Sequence, residues 1–235
     1  MTGPPPVVNN RLLSEDQSLS AAILPRGLYA VADDGMRPEL TLAEQAQVLA
    51  RAAVRVVQVR CKRSAGRAGW EAVREAVGVL RAAGVLALVN DRVDWALLSG
   101  ADGVHVGDED LPPAEARRLL GPGRLVGVTV RDAWGARQAA AAGASYVGLG
   151  PVFATRTKEV PAPVLGLERL RREVAESPLP VIAIGGISLD TVTSVARTGV
   201  HGVAVLSDLW TGRDPASRVE ALQRGFLLGE TERRA

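Results

Sequence analysis

Cysteine, histidine and long apolar runs are all scarce in this 235-residue chain, and each shortage excludes a class of protein. Cys61 is the single cysteine, so no internal disulfide forms and we expect a reducing, cytoplasmic location. His105 and His201 lie far apart in the sequence without a cysteine pair, which argues against a zinc site.

Membrane segments and nucleic-acid surfaces are also not expected. No apolar run approaches the roughly 18 residues that a membrane helix needs, and the N-terminus lacks a basic region followed by an apolar stretch. The 28 Lys and Arg residues nearly balance 26 Asp and Glu residues, so the chain has no large excess of positive charge for a nucleic-acid partner. The composition leaves a homo-oligomer open.

The remaining composition favours one globular domain. Hydrophobic residues make up 47% of the chain, which is ample for a buried core. Residues 1–25 contain a triple proline and an asparagine pair, and we predict a flexible N-terminal arm there. Residues 26–235 are predicted to form the catalytic domain.

Strand patterns and helix patterns alternate from Gly27 onward in eight units, which is typical of a parallel sheet covered by helices. The strands are predicted near Gly27 to Ala32, Val54 to Arg60, Val85 to Val89, Gly103 to Val106, Leu125 to Thr129, Tyr146 to Leu149, Val181 to Ile184 and Val203 to Leu206. Eight units predict an α/β fold, a single (β/α)8 TIM barrel. An open doubly wound sheet is the alternative, disfavoured because no Gly-x-Gly-x-x-Gly follows the first strand.

The active site of a barrel lies where the strands end, and the second strand ends in polar residues. Alternation places Gln58, Arg60 and Lys62 on one side of this strand and the valines between them on the other. If the valines pack against helices, two cations face the barrel mouth, where an anion would relieve their repulsion. The alternative is a strand that frays into solvent.

Carboxylates follow the next two strands. Asp91 ends the third, and Asp110 lies in the acidic loop after the fourth. Magnesium is usually held by one or two carboxylates plus substrate phosphates, which suits this pair. Spacing alone does not choose among the acidic residues of the loop, and helix capping explains both residues equally well.

Phosphate-binding chemistry is concentrated in the loop after the sixth strand and at the ends of the last two strands. The first loop contains Thr155, Thr157 and Lys158. Backbone donors at Gly185 and Gly186, with the Ser207 hydroxyl, suit a phosphate at the last two strands. The cationic, metal-assisted site near strands two to four and the neutral backbone site near strands seven and eight thus share one mouth, which predicts a diphosphate donor and a monophosphate acceptor.

Five motifs, taken in order, resemble those of the thiamine-phosphate synthase family. They are Gln58-x-Arg60-x-Lys62, Asn90-Asp91-Arg92, Gly103-Val-His-Val-Gly-x-x-Asp110-Leu, Gly150-Pro-Val-Phe-x-Thr-x-Thr-Lys158 and Ala183-Ile-Gly-Gly-Ile187. The resemblance covers about residues 27 to 210. It implies a magnesium-dependent barrel that joins hydroxymethylpyrimidine diphosphate to thiazole phosphate and releases diphosphate.

The resemblance also implies a role for each matching residue. Asp91 and Asp110 would hold Mg²⁺, while Arg60, Lys62 and Lys158 would be catalytic and, with Asn90, would contact the diphosphate. The pyrimidine would be lined by Gln58, His105 and Thr129. The thiazole phosphate would be held by Thr155, Thr157, Gly186 and Ser207, with Gly185 and Leu206 completing the substrate contacts.

Three residues depart from the family pattern. Thr129 stands where serine is common, Cys61 where an acidic residue is usual, and Arg131 where many relatives have histidine. The related thiazole tautomerases depend on a histidine near that last position, so Arg131 argues against that isomerase activity. A non-catalytic phosphate-binding barrel is the third hypothesis, and it does not require the metal carboxylates that this chain contains.

Overall fold

A computed structural model of the chain describes residues 22–155, 163–212 and 214–235. These residues form a closed barrel of eight parallel strands, in which each strand pairs with its sequence neighbours and the first pairs with the last. The predicted (β/α)8 fold is therefore confirmed. The open doubly wound sheet is excluded because it would leave two strand edges unpaired.

The strands are β1 (Gly27–Asp33), β2 (Val56–Arg60), β3 (Leu86–Asn90), β4 (Gly103–Val106), β5 (Leu125–Val130), β6 (Tyr146–Leu149), β7 (Val181–Ile184) and β8 (Gly202–Val205). The helices are α1 (Leu42–Arg51), α2 (Gly66–Ala82), α3 (Val93–Ser99), α4 (Pro113–Leu120), α5 (Ala133–Ala141), α6 (Gly166–Glu176), α7 (Val192–Ala196) and α8 (Pro215–Arg234), and a short 3-10 helix covers Ser207–Trp210. The predicted strand bounds agree to within one or two residues. The most consequential difference is that β1 extends one residue further, to Asp33.

Local signals set the limits of several helices. Thr41 and Glu44 form a reciprocal capping box at the start of α1, and the Asp132 carboxylate accepts from the Gly135 amide at the start of α5. Gly100 ends α3 with φ +72°, a left-handed conformation that glycine adopts without steric cost. The starts of α1 and α5 and the end of α3 therefore fall at residues whose types favour helix termini.

Two apolar cores lie on opposite faces of the strands. The outer core, between barrel and helices, contains Val57 and Val59 from β2. The inner core fills the barrel and contains Tyr29, Val31, Val56, Leu88, Leu125, Tyr146, Ile182 and Ala204. The two valines thus pack against helices, which is the condition under which the polar residues of the second strand were expected to face the mouth. The residues that alternate with these valines point into the barrel.

The N-terminal end of the barrel is closed by Leu24, which is buried in the inner core. His201 lies there too, and its Nε2 donates to the Leu24 carbonyl at 3.0 Å. This histidine is therefore remote from the mouth. Of the predicted arm, residues 1–21 lie outside the described residues. Among the residues described, no helix combines the length and apolar character required to cross a bilayer.

Candidate active site

Polar side chains gather at the carboxyl end of the barrel because the strand alternation carries them there. Val31, Val56 and Leu88 belong to the inner core, so the residues two positions further along each strand also point inward. These residues are Asp33, Gln58 and Asn90. Arg60 follows Gln58 on the same face and pairs in register with Asp33.

Arg60 forms an ion pair with Asp33, whose side chain is only 2% exposed. The other Asp33 oxygen accepts from the Gly35 amide at 2.7 Å. A buried carboxylate needs such partners, because an unpaired charge in this position would be strongly destabilising. The ion pair therefore holds Arg60 at the mouth. Sequence reasoning missed Asp33 because it ended the first strand at Ala32.

Lys62 forms an ion pair with Asp91, and the Asp110 carboxyl lies close enough to that of Asp91 to interact with it. Burial raises the pKa of the Asp91 carboxyl, and the neighbouring Asp110 carboxyl raises it further, while Lys62 lowers it. Two carboxylates brought into contact beside one lysine form a site suited to a cation. The structure thus brings together the two predicted metal ligands.

Helix capping does not account for either carboxylate. Arg92 precedes α3 without any side-chain cap, and Pro112 precedes α4 in the same way. Asp110 instead accepts from the Gly107 amide at 2.7 Å, which closes the loop after β4. Asp91 itself has φ +62°, a left-handed conformation uncommon for residues other than glycine. Both side chains are therefore held toward each other and not toward a helix terminus.

Asp34 fixes the backbone beside Lys62. Its carboxylate accepts from the amides of Lys62, Arg63 and Ser64, each at 2.9 Å. Burial would raise the pKa of the Asp34 carboxyl, but the three donors outweigh it and hold that pKa below its usual range. Asp34 also accepts from the Cys61 thiol. Sequence reasoning missed this acceptor, although an aspartate at a strand end is a general signal for such a role.

A continuous hydrogen-bonded network crosses the barrel below the mouth. Gln58 Nε2 lies 3.0 Å from the Tyr29 hydroxyl, which lies 2.9 Å from the Tyr146 hydroxyl. Tyr146 contacts His105 Nδ1 at 3.1 Å, and His105 Nε2 contacts the Thr129 hydroxyl at 3.0 Å. Three predicted pyrimidine contacts, Gln58, His105 and Thr129, are thus joined through two tyrosines that sequence reasoning did not single out.

Glycine makes room for this network. A Cβ at Gly127 would lie 2.1 Å from Tyr146 Cζ and 2.6 Å from His105 Nδ1. Real atoms do not approach so closely, so any side chain at this position would displace the two rings. The Tyr146 and His105 rings therefore occupy space that Gly127 leaves open.

The predicted phosphate region lies where the loop after β6 meets the end of β7. The amides of Val152 and Phe153 donate to the carbonyls of Ile184 and Gly185, at 2.9 and 3.0 Å. Gly186 has φ +65°, and a Cβ there would lie 2.6 Å from the Ala154 carbonyl oxygen. The two glycines thus allow both backbones to approach closely.

Ser207 is exposed at the start of the 3-10 helix, and Leu206 before it is half-buried. The next residue, Asp208, accepts from the Leu189 amide at 3.1 Å and binds the Arg218 guanidinium with both oxygens. The ends of β7 and β8 are therefore tied together. Thr155 is described and half-buried, whereas the predicted contacts Thr157 and Lys158 lie outside the described residues.

The three residues that depart from the family pattern either lie outside the group of polar side chains at the mouth or retain the chemistry of the usual residue. Burial raises the pKa of the Cys61 thiol to about 11, with Asp34 adding to the effect, so the thiol stays protonated and unreactive. Arg131 is half-exposed and lies 3.8 Å from an Asp108 oxygen. Thr129 supplies a hydroxyl within the network, as serine would.

Comparison with known proteins assigns the chain that contains this site to a family. The profile described as thiamine monophosphate synthase matches residues 28–209, more than half of the chain. The chain belongs to the thiamine monophosphate synthase family. The matched region contains Asp91 and Asp110, the two cations Arg60 and Lys62 at and after the end of β2, and the whole tyrosine network.

Individual members of the thiamine monophosphate synthase family are similar over nearly their full length. A thiamine-phosphate synthase of Myxococcus xanthus is 56% identical over 206 residues, covering 88% of this chain and 94% of the relative. One from Anaeromyxobacter dehalogenans is 45% identical and covers 89% and 91%. The solved thiamine phosphate pyrophosphorylase of Pyrococcus furiosus has a TM-score of 0.78 and 34% identity, covering 87% and 96%.

These similarities confirm the predicted family and activity class, an enzyme of thiamine biosynthesis that acts as a transferase. They do not test the roles of single residues. Within the described ranges, no group of three or more His, Cys, Asp or Glu side chains is arranged to hold a metal. A magnesium ion held here by Asp91 and Asp110 would take its other ligands from water and substrate, which is usual for this ion.

Proposed function

We propose that the chain condenses hydroxymethylpyrimidine diphosphate with thiazole phosphate to give thiamine phosphate and diphosphate, assisted by Mg²⁺, in the cytoplasm. The observation that carries this proposal is the Lys62–Asp91–Asp110 cluster at the mouth of the barrel. It combines a cation for phosphate oxygens with two carboxylates for a divalent ion. The Arg60–Asp33 pair on the neighbouring strands adds a second cation at the same end.

The two carboxylates fit a magnesium ion. The two carboxyl groups lie side by side next to Lys62, so a divalent ion between them would offset the repulsion of their like charges. When bound, Mg²⁺ would neutralise charge on the diphosphate and so make it a better leaving group. Asp91 and Asp110 would hold it, because Asp33 is already occupied by Arg60 and Asp34 by three backbone amides.

Arg60 and Lys62 would bind the diphosphate, together with Asn90 and the predicted contact Lys158. In the dissociative reaction, the carbon–oxygen bond breaks first and its electron pair leaves with the diphosphate. The thiazole nitrogen then donates its lone pair to the pyrimidine methylene cation to form the new carbon–nitrogen bond. Cations fixed around the departing oxygens act where negative charge develops, which is the most effective place for them.

The remaining residues would orient the two substrates. Gln58, His105 and Thr129 would line the pyrimidine, and the thiazole phosphate would lie against Gly186 and Ser207, with Gly185, Leu206, Thr155 and Thr157 completing the pocket. No nucleophilic side chain is required, because the substrates react with each other when held together. Such positioning is itself a large contribution to the rate.

Incubation of the purified protein with both substrates and Mg²⁺ tests this proposal directly. We expect mass spectrometry to detect thiamine phosphate together with released diphosphate, and EDTA to abolish both. Product that forms equally well in EDTA would overturn the magnesium role. Tight substrate binding without product would favour the tautomerase or the binding-only barrel instead.

Replacing Ser207 with alanine should raise the KM for thiazole phosphate by about tenfold to a hundredfold, the effect of losing one hydrogen bond to a charged group. Because Ser207 is exposed at the end of β8, folding should be unaffected. Steady-state kinetics with each substrate varied in turn would measure the change. The matched control is Thr211→Val, which removes a nearby hydroxyl that donates to the Asp208 carbonyl. An unchanged KM in Ser207→Ala would place the phosphate elsewhere.

A further inference from the structure

The chain has only two tyrosines, and both hydroxyls meet inside the barrel at 2.9 Å. Burial raises the pKa of both phenols, so each remains neutral and carries one hydrogen to donate. Tyr29 contacts Gln58 on one side, and Tyr146 contacts His105 on the other. Neither tyrosine has a role in the chemistry described above, yet together they connect residues on opposite sides of the proposed pyrimidine site.

Only one assignment of donors and acceptors gives both phenol hydrogens an acceptor within the network. The Gln58 amide nitrogen only donates, so the Tyr29 oxygen accepts from it, and the Tyr146 oxygen is the acceptor that the network offers to the Tyr29 hydrogen. Tyr146 must then donate to His105 Nδ1, which leaves the histidine hydrogen on Nε2. Nε2 donates to Thr129, whose own hydrogen is left for another acceptor.

We propose that Tyr29 and Tyr146 are positioning residues that set the donor and acceptor pattern presented to the pyrimidine substrate. Gln58 then presents its carbonyl oxygen as an acceptor, and Thr129 presents its hydroxyl as a donor. Among the described residues, Gln58 Oε1 has no hydrogen-bond partner. An aminopyrimidine edge offers the complementary pattern, an amino donor beside a ring-nitrogen acceptor. This inference rests on the proposed function for its substrate.

The network couples its two ends because each hydroxyl and the neutral imidazole have a single hydrogen to give. With its hydrogen on Nδ1, His105 would donate to Tyr146, and the hydrogen of one phenol would then have no acceptor within the network. Inside the barrel, an unsatisfied hydroxyl is costly, so the network favours one neutral tautomer of His105. Gln58 and Thr129 therefore keep opposite hydrogen-bonding roles.

Nitrogen NMR of protein labelled with ¹⁵N-histidine tests this inference without any substrate. Of the two histidines, His201 can be assigned with the His201→Gln variant, which leaves the mouth unchanged. We expect His105 in the unmutated protein to have its hydrogen on Nε2 and none on Nδ1. A hydrogen on Nδ1 would overturn the proposal even if the enzyme is fully active, and this measurement does not depend on any variant folding.

Two variants then separate positioning from a merely structural role. Tyr146→Phe should allow both His105 tautomers and raise the KM for the pyrimidine diphosphate about tenfold, with the KM for thiazole phosphate unchanged. Tyr29→Phe should raise the same KM but leave the His105 tautomer as it is, since Tyr146 still donates to Nδ1. Thr198→Val, which removes a buried hydroxyl elsewhere, should alter neither property.

The outcomes distinguish this inference from the proposed function. The expected tautomer without synthase activity would support the network and contradict the function. Normal activity with unchanged pyrimidine KM in both tyrosine variants would contradict the positioning role alone. A raised KM in Tyr146→Phe with an unaltered tautomer would also overturn the inference, because the tyrosine would then act through packing.

Discussion

Replacing Asp91 with asparagine should lower kcat by about 100-fold to 1,000-fold, the usual cost of removing one group that stabilises developing charge. Asp91 contacts both Lys62 and Asp110, so its carboxylate is central to the proposed metal site. Asparagine is a better replacement than alanine because residue 91 has φ +62°, a conformation that asparagine tolerates well. The fold should therefore survive, and circular dichroism and thermal unfolding would check this.

Magnesium titration separates a ligand role from a general electrostatic role. Asp91→Asn should require more Mg²⁺ for half-maximal rate, and combining it with Asp110→Asn should cost little more than either change alone, because all three variants impair one site. Asp94→Asn is the matched control, since that carboxylate pairs with Arg92 on the exposed surface of α3. Wild-type rates for Asp91→Asn at limiting magnesium would show that the metal ligand has been assigned wrongly.

The positions of the cations and of the two carboxylates proposed to bind metal were predictable because they depend on strand alternation and strand ends. Val57 and Val59 pack outward, which sends Gln58 and Arg60 inward without any further information. The ends of neighbouring parallel strands meet at one rim, so Asp91 and Asp110 come together although 19 positions separate them in the sequence. Both inferences use only local periodicity and the topology of the barrel.

The residues that sequence reasoning missed depend on contacts between distant strands. Tyr29 and Tyr146 read as ordinary strand residues, since an aromatic side chain in an apolar strand is typical of core. Their hydroxyl contact exists only because β1 and β6 face each other across the barrel, a distance set by ring size and by the space at Gly127. Asp33 and Asp34 were missed because their partners lie on β2 and in the loop after it.

Removing the Arg60 guanidinium should have two effects that a second substitution separates. Arg60→Met should lower kcat by about 100-fold or more, because a cation beside the leaving group is lost. It should also lower the free energy of unfolding by about 3–5 kcal/mol, because Asp33 would remain as a buried charge without a partner. Kinetics and chemical denaturation on the same preparation would measure both.

The double variant Arg60→Met with Asp33→Asn should recover most of the lost stability without recovering activity. Neutral asparagine does not need a cation, and its side-chain oxygen continues to accept from the Gly35 amide. Asp33→Asn alone leaves Arg60 in place and should retain much more activity than either variant that lacks the guanidinium. Recovery of activity along with stability in the double variant would show that Arg60 serves only the fold, and that the charge acting on the diphosphate comes from Lys62 and the metal site.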